Sequence, residues 1–582
     1  MTRIANDAQD FVPQALAGFV SAHADLVRAV DGGVVRAAPA PRGSVALVVG
    51  GGSGHYPAFA GVVGAGLAAG AVCGNIFTSP SAGQAYRVAK AANRGGGVLF
   101  SFGNYAGDVL HFGEAEERLR EEGIDARTVL CTDDIASAPQ DEIDKRRGIA
   151  GDFVVFKVAG AAAERGDSID EVERLARHAN HRTRTLGVAF GGCTFPGAAE
   201  PLFTVPDGMM SIGLGIHGEP GIRDVPRTTS AELAETLVEA LLADVPEDRG
   251  DRVAVIVNGL GTVKYEELFV LYGDVAARLE AAGIAIVQPE VGELVTSLDM
   301  AGASLTFFWL DDELEPLWAA PAYTPAYRKG SVQVAAAAGD TQDEEVEAAE
   351  TAAAPEASDW SKSAAVFALA CLDAARATIH EHEVELGRID AIAGDGDHGV
   401  GMRTGVDAAR EAADPAAGLS AMLAAAGDAW SEKAGGTSGA LWGAMLRSIG
   451  RTLDSGGADP RTTAPGAARA ALDAVTSRGG ASVGDKTMVD ALEPFARVLA
   501  ERLDAGDDLV AALGSAARAS TDAAAATSAL RPALGRARPL AEKSIGHPDA
   551  GATSLALIAT AIAEVARESA ASHEQISRKE ER

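Results

Sequence analysis

The chain has 582 residues, 82 acidic against 50 basic side chains, a formal net charge of −32, and 47% hydrophobic residues. That length asks for about two to four domains, the hydrophobic balance excludes wholesale disorder, and the charge opposes a phosphate-tracking nucleic-acid surface or an anionic membrane. Cys73, Cys131, Cys193 and Cys371 form no CxxC pair, which argues for a reducing compartment and against a disulfide framework or thiolate zinc site. In chain order, MTRIANDAQDF lacks an apolar signal core, and the apolar stretch near Ala60 to Cys73 is glycine-interrupted and too short to span a bilayer. The sequence therefore reads as cytoplasmic. Runs rich in Val, Ile and Phe at 45–49, 98–102, 253–257, 284–287 and 305–309, bounded by Gly or Asn, predict buried strands. Ser168 and Glu171 have capping-box spacing, and Val172, Leu175 and Ala176 share the helical face that follows. Strands alternating with helices predict an α/β domain over residues 1–330.

Residues 331–361 carry eight acidic side chains and no Lys or Arg, a composition that buries no core and predicts a linker. Beyond it the strand signals stop. Segments 421–433, 441–453, 468–477, 488–503 and 554–567 show helical periodicity, predicting an all-α domain of about seven or eight helices over residues 362–571. Residues 572–582 read as a charged, frayed tail.

Five motifs carry candidate chemistry. In SVALVVGGGSGHYP, residues 44–57, a buried strand runs into Gly50 to Gly54 and then His55. Clustered glycines fit either a tight turn or the close approach of backbone N–H groups to a ligand. Asp108, in GNYAGD, follows a strand and is either a crevice-lining carboxylate or a turn residue bonded to its own backbone. His217, in GLGIHGEPG, is held among glycines as a nucleophile or base, or as a structural loop residue. In RIDAIAGDGDHG, Asp390 would end a helix, and Asp395 and Asp397 would form the next turn. Carboxylates gathered so tightly repel unless a hard cation such as Mg²⁺ lies between them, the alternative being a solvated acidic turn. GGTSG (435–439), RGG with GDKTM (478–488) and GHPDAG (546–551) are glycine-opened helix starts suited to phosphate.

In this order the motifs resemble the dihydroxyacetone kinase family over nearly the whole chain. GGGSGH, GNIFTSP, NYAGD and GIHGEPG resemble its substrate (K) domain, and DAIAGDGDHG, GGTSGALWG, GDKTMVDAL and SIGHPDAGATS its nucleotide (L) domain. The resemblance implies a two-lobed α/β K domain, usually dimeric, and an eight-helix barrel L domain. It implies a hemiaminal between the substrate ketone and His217, with Gly52, Ser53 and Gly54 lining the substrate and His55 and Asp108 assisting deprotonation of the reacting hydroxyl. It implies two Mg²⁺ ions on Asp390, Asp395 and Asp397. ATP would be contacted by His398, Gly399, Val400, Gly401, Ser438, Gly439, Gly480, Thr487, Met488, Arg536, Asp549, Ala550 and Gly551. Two domains on one chain imply free ATP as co-substrate, with no phosphotransferase-system partner.

The chain departs from the common family pattern at Tyr56, where Glu is frequent, and at Gly103, where a substrate-touching Lys is frequent. Arg538 and Pro539 replace a common Ser-Tyr pair. Loss of the lysine is expected to open space beside the substrate. The HYP and FGNYAGD variants resemble erythrulose kinases. The expectation is an ATP-dependent kinase of a short ketose, D-erythrulose at its 4-hydroxyl or dihydroxyacetone. An FAD-cyclising lyase and a non-catalytic regulatory protein are the alternatives.

Overall fold

A computed structural model describes residues 4–8, 10–331, 357–394, 396–455, 459–534 and 541–580. The chain divides into two compact units, Met1–Gln342 and Asp343–Arg582.

The first unit holds two sheets. One consists of β1 (Val27–Val30), β2 (Gly33–Arg36), β3 (Ala46–Ser53), β4 (Gly70–Ile76), β5 (Val98–Gly103) and β6 (Ala126–Cys131), in the order β1-β2-β4-β3-β5-β6. The β4, β3, β5 and β6 pairings are parallel, and β1 and β2 join antiparallel at the edge. Parallel strands are covered on both faces, which is why β3 and β5 read as unbroken apolar runs. Val48, Phe100 and Phe102 pack with Val88 and Phe112 on one face, while Leu47, Val49 and Leu99 pack on the other with the cluster of Phe153 and Leu175.

The second sheet consists of β7 (Thr183–Ala189), β8 (Met209–Ile212), β9 (Arg223–Pro226), β10 (Arg252–Gly259), β11 (Ala285–Ile286), β12 (Glu290–Gly292) and β13 (Gly302–Trp309). Its order is β11-β10-β13-β7-β8-β9, with β12 also beside β10. β13 runs antiparallel to both neighbours, setting Phe307 opposite Val255 and Leu305 opposite Leu186. Helices Ser230–Ala243 and Tyr265–Ala281 supply Leu237 and Val275 to one face. Helix Asp152–Arg165 is buried from Asp152 through Ala163, so it shows no amphipathic stripe. A Cβ on Gly160 would lie 2.5 Å from the Leu67 backbone, which makes glycine a packing requirement there. The five expected strands are present, but the one expected buried at 284–287 is reduced to Ala285–Ile286, an exposed residue followed by a half-buried one. β7 escaped notice because its polar Thr183, Arg184 and Thr185 are buried; Arg184 Nε donates to Asp244 (2.8 Å).

The second unit is helical among its described residues: Asp359–Asp390, His398–Ala412, Leu419–Ala434, Gly436–Ser455, Pro460–Gly479, Val489–Asp504, Leu509–Ala526 and Ala550–Glu580, with a one-turn helix at Ala541–Ser544. Two expected boundaries shift. The first helix starts inside the expected linker because Ser358 caps it, its hydroxyl accepting from Ser361 N (3.1 Å). The last helix continues to Glu580, so residues 572–580 are helical rather than frayed. Its portion Ala550–Ala571 is apolar and long enough to cross a membrane, but half of the most apolar window is buried within the fold. Residues 332–356, most of the expected linker, lie outside the described residues.

Candidate functional site

In the first unit, three segments distant in sequence converge. β3 ends at Ser53 and delivers His55; the glycine loop after β8 delivers His217; the loop after β12 delivers the carbonyl of Thr296. The two imidazoles meet Nε2 to Nε2 at 3.0 Å with their rings nearly perpendicular. His55 Nδ1 donates to the Thr296 carbonyl (2.7 Å), and His217 Nδ1 donates to Glu219 Oε1 (3.1 Å). Both Nδ1 atoms are therefore committed as donors, so the short Nε2–Nε2 contact requires one proton between them. Burial, and then the charge of His217, depress the pKa of His55 to about 3.

Phe77 forms a wall of this pair. It stacks on His55 (5.0 Å between centroids, 15°) and meets His217 edge-on (5.1 Å). Its φ of 50° is unusual for a bulky residue, and such strain persists only where packing enforces it. The glycine loop explains the enforcement. A Cβ on Gly52 would lie 2.7 Å from Thr78 N, one on Gly54 2.8 Å from the Phe77 ring, and one on Gly51 2.8 Å from Phe59. The Cβ sides of these glycines are thus filled by protein, and Ser53 Oγ donates to the Gly74 carbonyl (2.6 Å). Packing against Phe59, Phe77 and Thr78 therefore requires glycine at these positions.

Gly103 does not open the expected space. A Cβ there would lie 2.9 Å from the Tyr105 ring and 3.1 Å from the Gly148 carbonyl. Tyr105 donates its hydroxyl to that carbonyl (3.0 Å) and sets its ring edge-on to His217 (4.7 Å). Three residues further on, Asp108 lies in the first turn of helix Ala106–Glu121, almost fully buried, rather than in a turn. Its Oδ1 has no hydrogen-bond partner among the described residues. Burial pushes its pKa up to about 7, against the opposing hydrogen bond of Ser79. A carboxyl poised near neutrality is suited to taking a proton from a hydroxyl.

In the second unit, Asp390 ends its helix and accepts from Gly396 N (2.9 Å) and His398 N (3.4 Å), which closes the acidic turn. Burial and the charge of Asp390 push Asp397 up to about 6. Burial, together with Asp490 and Asp390, raises Asp549 to about 6. Carboxylates that raise one another's pKa form a donor set suited to a hard divalent cation, with Lys486 as a nearby positive charge that opposes the rise at Asp549. No group of three metal-type ligands is close enough to chelate among the described residues. Asp395 and Arg536 lie outside those residues, as do Arg538 and Pro539. His398 Nε2 and Ser554 Oγ are 3.0 Å apart, tying the acidic turn to the last helix. Thr487 N donates to Asp490 Oδ2 (2.8 Å), Asp549 N donates to Thr527 Oγ1 (2.8 Å), and a Cβ on Gly551 would reach Met488 Cβ at 3.5 Å. Ala550 opens the helix beside them.

Gly399 is a packing residue, since its Cβ would lie 2.0 Å from the Glu383 carbonyl; Gly401 faces open space and Val400 is exposed. Ser438 and Gly439 begin helix Gly436–Ser455, and Gly480 is a left-handed C-cap. The hydrogen bonds that join the other motifs do not reach these three among the described residues.

Sequence reasoning gave no role to Glu219, Arg147, Phe77, Thr296 or Asp490. Glu219, two residues from His217 in a glycine loop, offered a local signal; the others act from distant segments.

The Dak1 domain family matches residues 17–326 and the DAK2 domain family residues 392–564. The chain is 55% identical to an L-erythrulose kinase of Pectobacterium atrosepticum, covering 97% of this chain and 96% of that protein. It is 54% identical to a D-erythrulose kinase of Mycolicibacterium smegmatis, with 97% and 98% covered. Its fold is similar to the crystal structure of the dihydroxyacetone kinase of C. freundii in complex with AMP-PNP and Mg²⁺, at 28% identity and a TM-score of 0.52 over 97% of this chain and 99% of that one.

Proposed function

The chain belongs to the dihydroxyacetone kinase family and is an ATP-dependent ketose kinase, and from that premise we propose that it phosphorylates a terminal hydroxyl of a four-carbon erythrulose held through its carbonyl carbon on His217. The observation that carries this reading is the imidazole pair, whose Nε2 atoms lie 3.0 Å apart while both Nδ1 atoms are fixed as donors. It offers a carbonyl one nitrogen to add to carbon and one proton for oxygen. The polyol glycerol has no carbonyl to capture. Asp108 is read as the acceptor of the proton leaving the reacting hydroxyl, with His55 as its neighbour in that task.

ATP with Mg²⁺ is assigned to the second unit. Asp390, Asp395 and Asp397 would hold two ions, and His398, Thr487, Met488, Arg536 and the Asp549–Gly551 turn would line the nucleotide. Mg²⁺, when bound, supplies charge neutralisation for the triphosphate. Support for a four-carbon acceptor comes from the erythrulose kinases at 55% and 54% identity, and no longer from room beside Gly103, which Tyr105 fills. Those two relatives are named for opposite hands of erythrulose; D-erythrulose at its 4-hydroxyl is the acceptor read here. A cytoplasmic homodimer exchanging free ATP at each turnover, without a phosphotransferase relay, completes the reading.

An ADP-release assay across dihydroxyacetone, both erythruloses, glyceraldehyde and glycerol tests it. One or both erythruloses should equal or exceed dihydroxyacetone in kcat/KM, with glycerol inert. Dihydroxyacetone ahead of both by more than about tenfold would return the chain to the triose kinases.

A further inference from the structure

We infer that Glu219 is the positioning residue of the ketose site: it selects the His217 tautomer whose Nε2 attacks carbon, and it balances the imidazolium that the addition creates. The inference rests on reading His217 as the nucleophile and extends that reading to a residue that does not touch the ketose.

Glu219 grips His217 at two points. Oε1 accepts from Nδ1 (3.1 Å), and Oε2 accepts from the His217 backbone N (3.0 Å). Behind it, Arg147 Nη1 lies 3.6 Å from Oε2. Arg147 is itself aimed by Asp134, whose Oδ2 accepts from Arg147 Nε (3.1 Å) and Nη2 (2.8 Å). Asp134 is buried, and its Oδ1 accepts from Ala136 N (3.0 Å). The series Asp134, Arg147, Glu219, His217 therefore alternates in charge once the His217 ring carries a proton. Burial opposes ionisation of Glu219, but the charge and hydrogen bond of His217, followed by Arg147, prevail and hold its carboxyl far below the usual range.

The local backbone is shaped around this carboxylate. A Cβ on Gly215 would lie 2.1 Å from Glu219 Oε2 and 2.8 Å from Arg147 Nη1. Gly215 N donates to the Glu219 carbonyl (3.0 Å), closing the loop that presents both residues. The first glycine of the GIHGEPG segment is thus explained by the pairing of Glu219 with Arg147.

The chemistry follows from the proton count. Before addition, one proton stands between the two Nε2 atoms, and Nδ1–H of His217 points at Glu219. As the proton passes to His55, the His217 Nε2 lone pair forms the N–C bond and the carbonyl π bond breaks. The oxygen takes the proton from His55, whose buried ring disfavours the charge. The products are a hemiaminal hydroxyl, a neutral His55 and an alkylated His217 imidazolium whose Nδ1–H still donates to Glu219. No proton enters or leaves the site. The other groups facing His217 are the edges of Phe77 and Tyr105, and the Tyr105 hydroxyl is kept neutral by burial, with Glu219 adding to the effect. Glu219 is therefore the anion in direct contact with the ring. Because it favours the protonated pair, its loss makes the pair release its proton at lower pH, and ketose capture fails from a lower pH upward.

The test uses the full-length protein, ¹⁵N-labelled at histidine, with dihydroxyacetone ¹³C-labelled at the carbonyl carbon as probe. In the ligand-free wild type, His217 Nδ1 should be protonated; an unprotonated Nδ1 overturns the proposal without any variant. With the probe, the labelled carbon should move from a ketone to an sp³ signal. Failure to move would withdraw the reading of His217 as nucleophile, and this proposal with it. In Glu219→Gln the same adduct should form about ten- to a hundredfold more weakly, with its upper pH limit lowered and ATP binding unchanged. Gly215→Ala, which displaces the carboxylate, should act in the same direction. An adduct of wild-type affinity and pH profile in Glu219→Gln would overturn the role of Glu219 while leaving His217 as the nucleophile.

Discussion

Asp108 shows what burial does to one carboxyl. A helix N-terminus ordinarily favours the anion, yet desolvation prevails and raises the group from its ordinary 3.8 to about 7. Two consequences differ in sign. For catalysis the anion is the useful form, so kcat, with the ketose already captured, should rise with pH through about 7 and then level. Asp108→Asn should remove that rise and lower kcat by about 10²- to 10⁴-fold. For stability, the native state holds this proton to higher pH than the unfolded chain does. Native protein therefore binds more protons between roughly pH 4 and 7, and this group's contribution declines as pH rises through that window. Asp108→Asn should accordingly raise Tm at pH 8 and have no such effect below pH 4. A variant less stable than wild type at pH 8 would contradict the buried-anion account. The residue types at His55, Asp108 and His217 were legible in sequence because each stands in a distinctive local motif. The proton between His55 and His217 was not, because it depends on acceptors supplied by Thr296 and Glu219.

At the scale of elements, several motif glycines are explained by how closely strands and helices approach. Helix His398–Ala412 meets helix Asp359–Asp390 at Gly399, where a Cβ would lie 2.0 Å from the Glu383 carbonyl, whereas Gly401 two residues on has nothing within 4 Å. The pair separates packing from nucleotide contact. Gly399→Ala should force the helices apart and destabilise the helical unit by about 1–3 kcal/mol, seen as a lower Tm before any ligand is added. Gly401→Ala should leave Tm within a degree or so and register only in ATP affinity. Equal Tm losses at both positions would refute the assignment. The same logic corrects Gly103. Removing a side chain leaves no cavity when a neighbouring ring, here Tyr105, fills the volume, and interiors are packed tightly enough that this is the usual outcome. Sequence periodicity located most of the helices and the long strands. It missed β7, because buried polar residues satisfied by distant partners do not resemble a strand core.

For the whole molecule, the division into Met1–Gln342 and Asp343–Arg582 separates the imidazole pair from the acidic turn. Each unit has its own core, so loss of a function in one need not disturb the other. Asp397→Asn should abolish Mg²⁺-dependent ATP binding and turnover, measured by calorimetry and ADP release, while formation of the ketose adduct on the first unit stays at wild-type affinity. Normal turnover would remove Asp397 from the metal site, and a lost adduct would show that the units do not act separately.

The sequence by itself determined the family, the α/β unit followed by a helical one, and the residue types that carry the chemistry. These follow from composition, periodicity and short motifs, all of which are local properties of the chain. Only the tertiary structure decided which group faces which. It set His55 against His217 across 162 residues, aimed Arg147 at Glu219, filled the space at Gly103 with Tyr105 and pressed Phe77 onto the glycine loop. The physical reason is that protonation state, ring orientation and free volume are fixed by neighbours in space and by exclusion of water. Those neighbours come from segments whose approach no local pattern encodes.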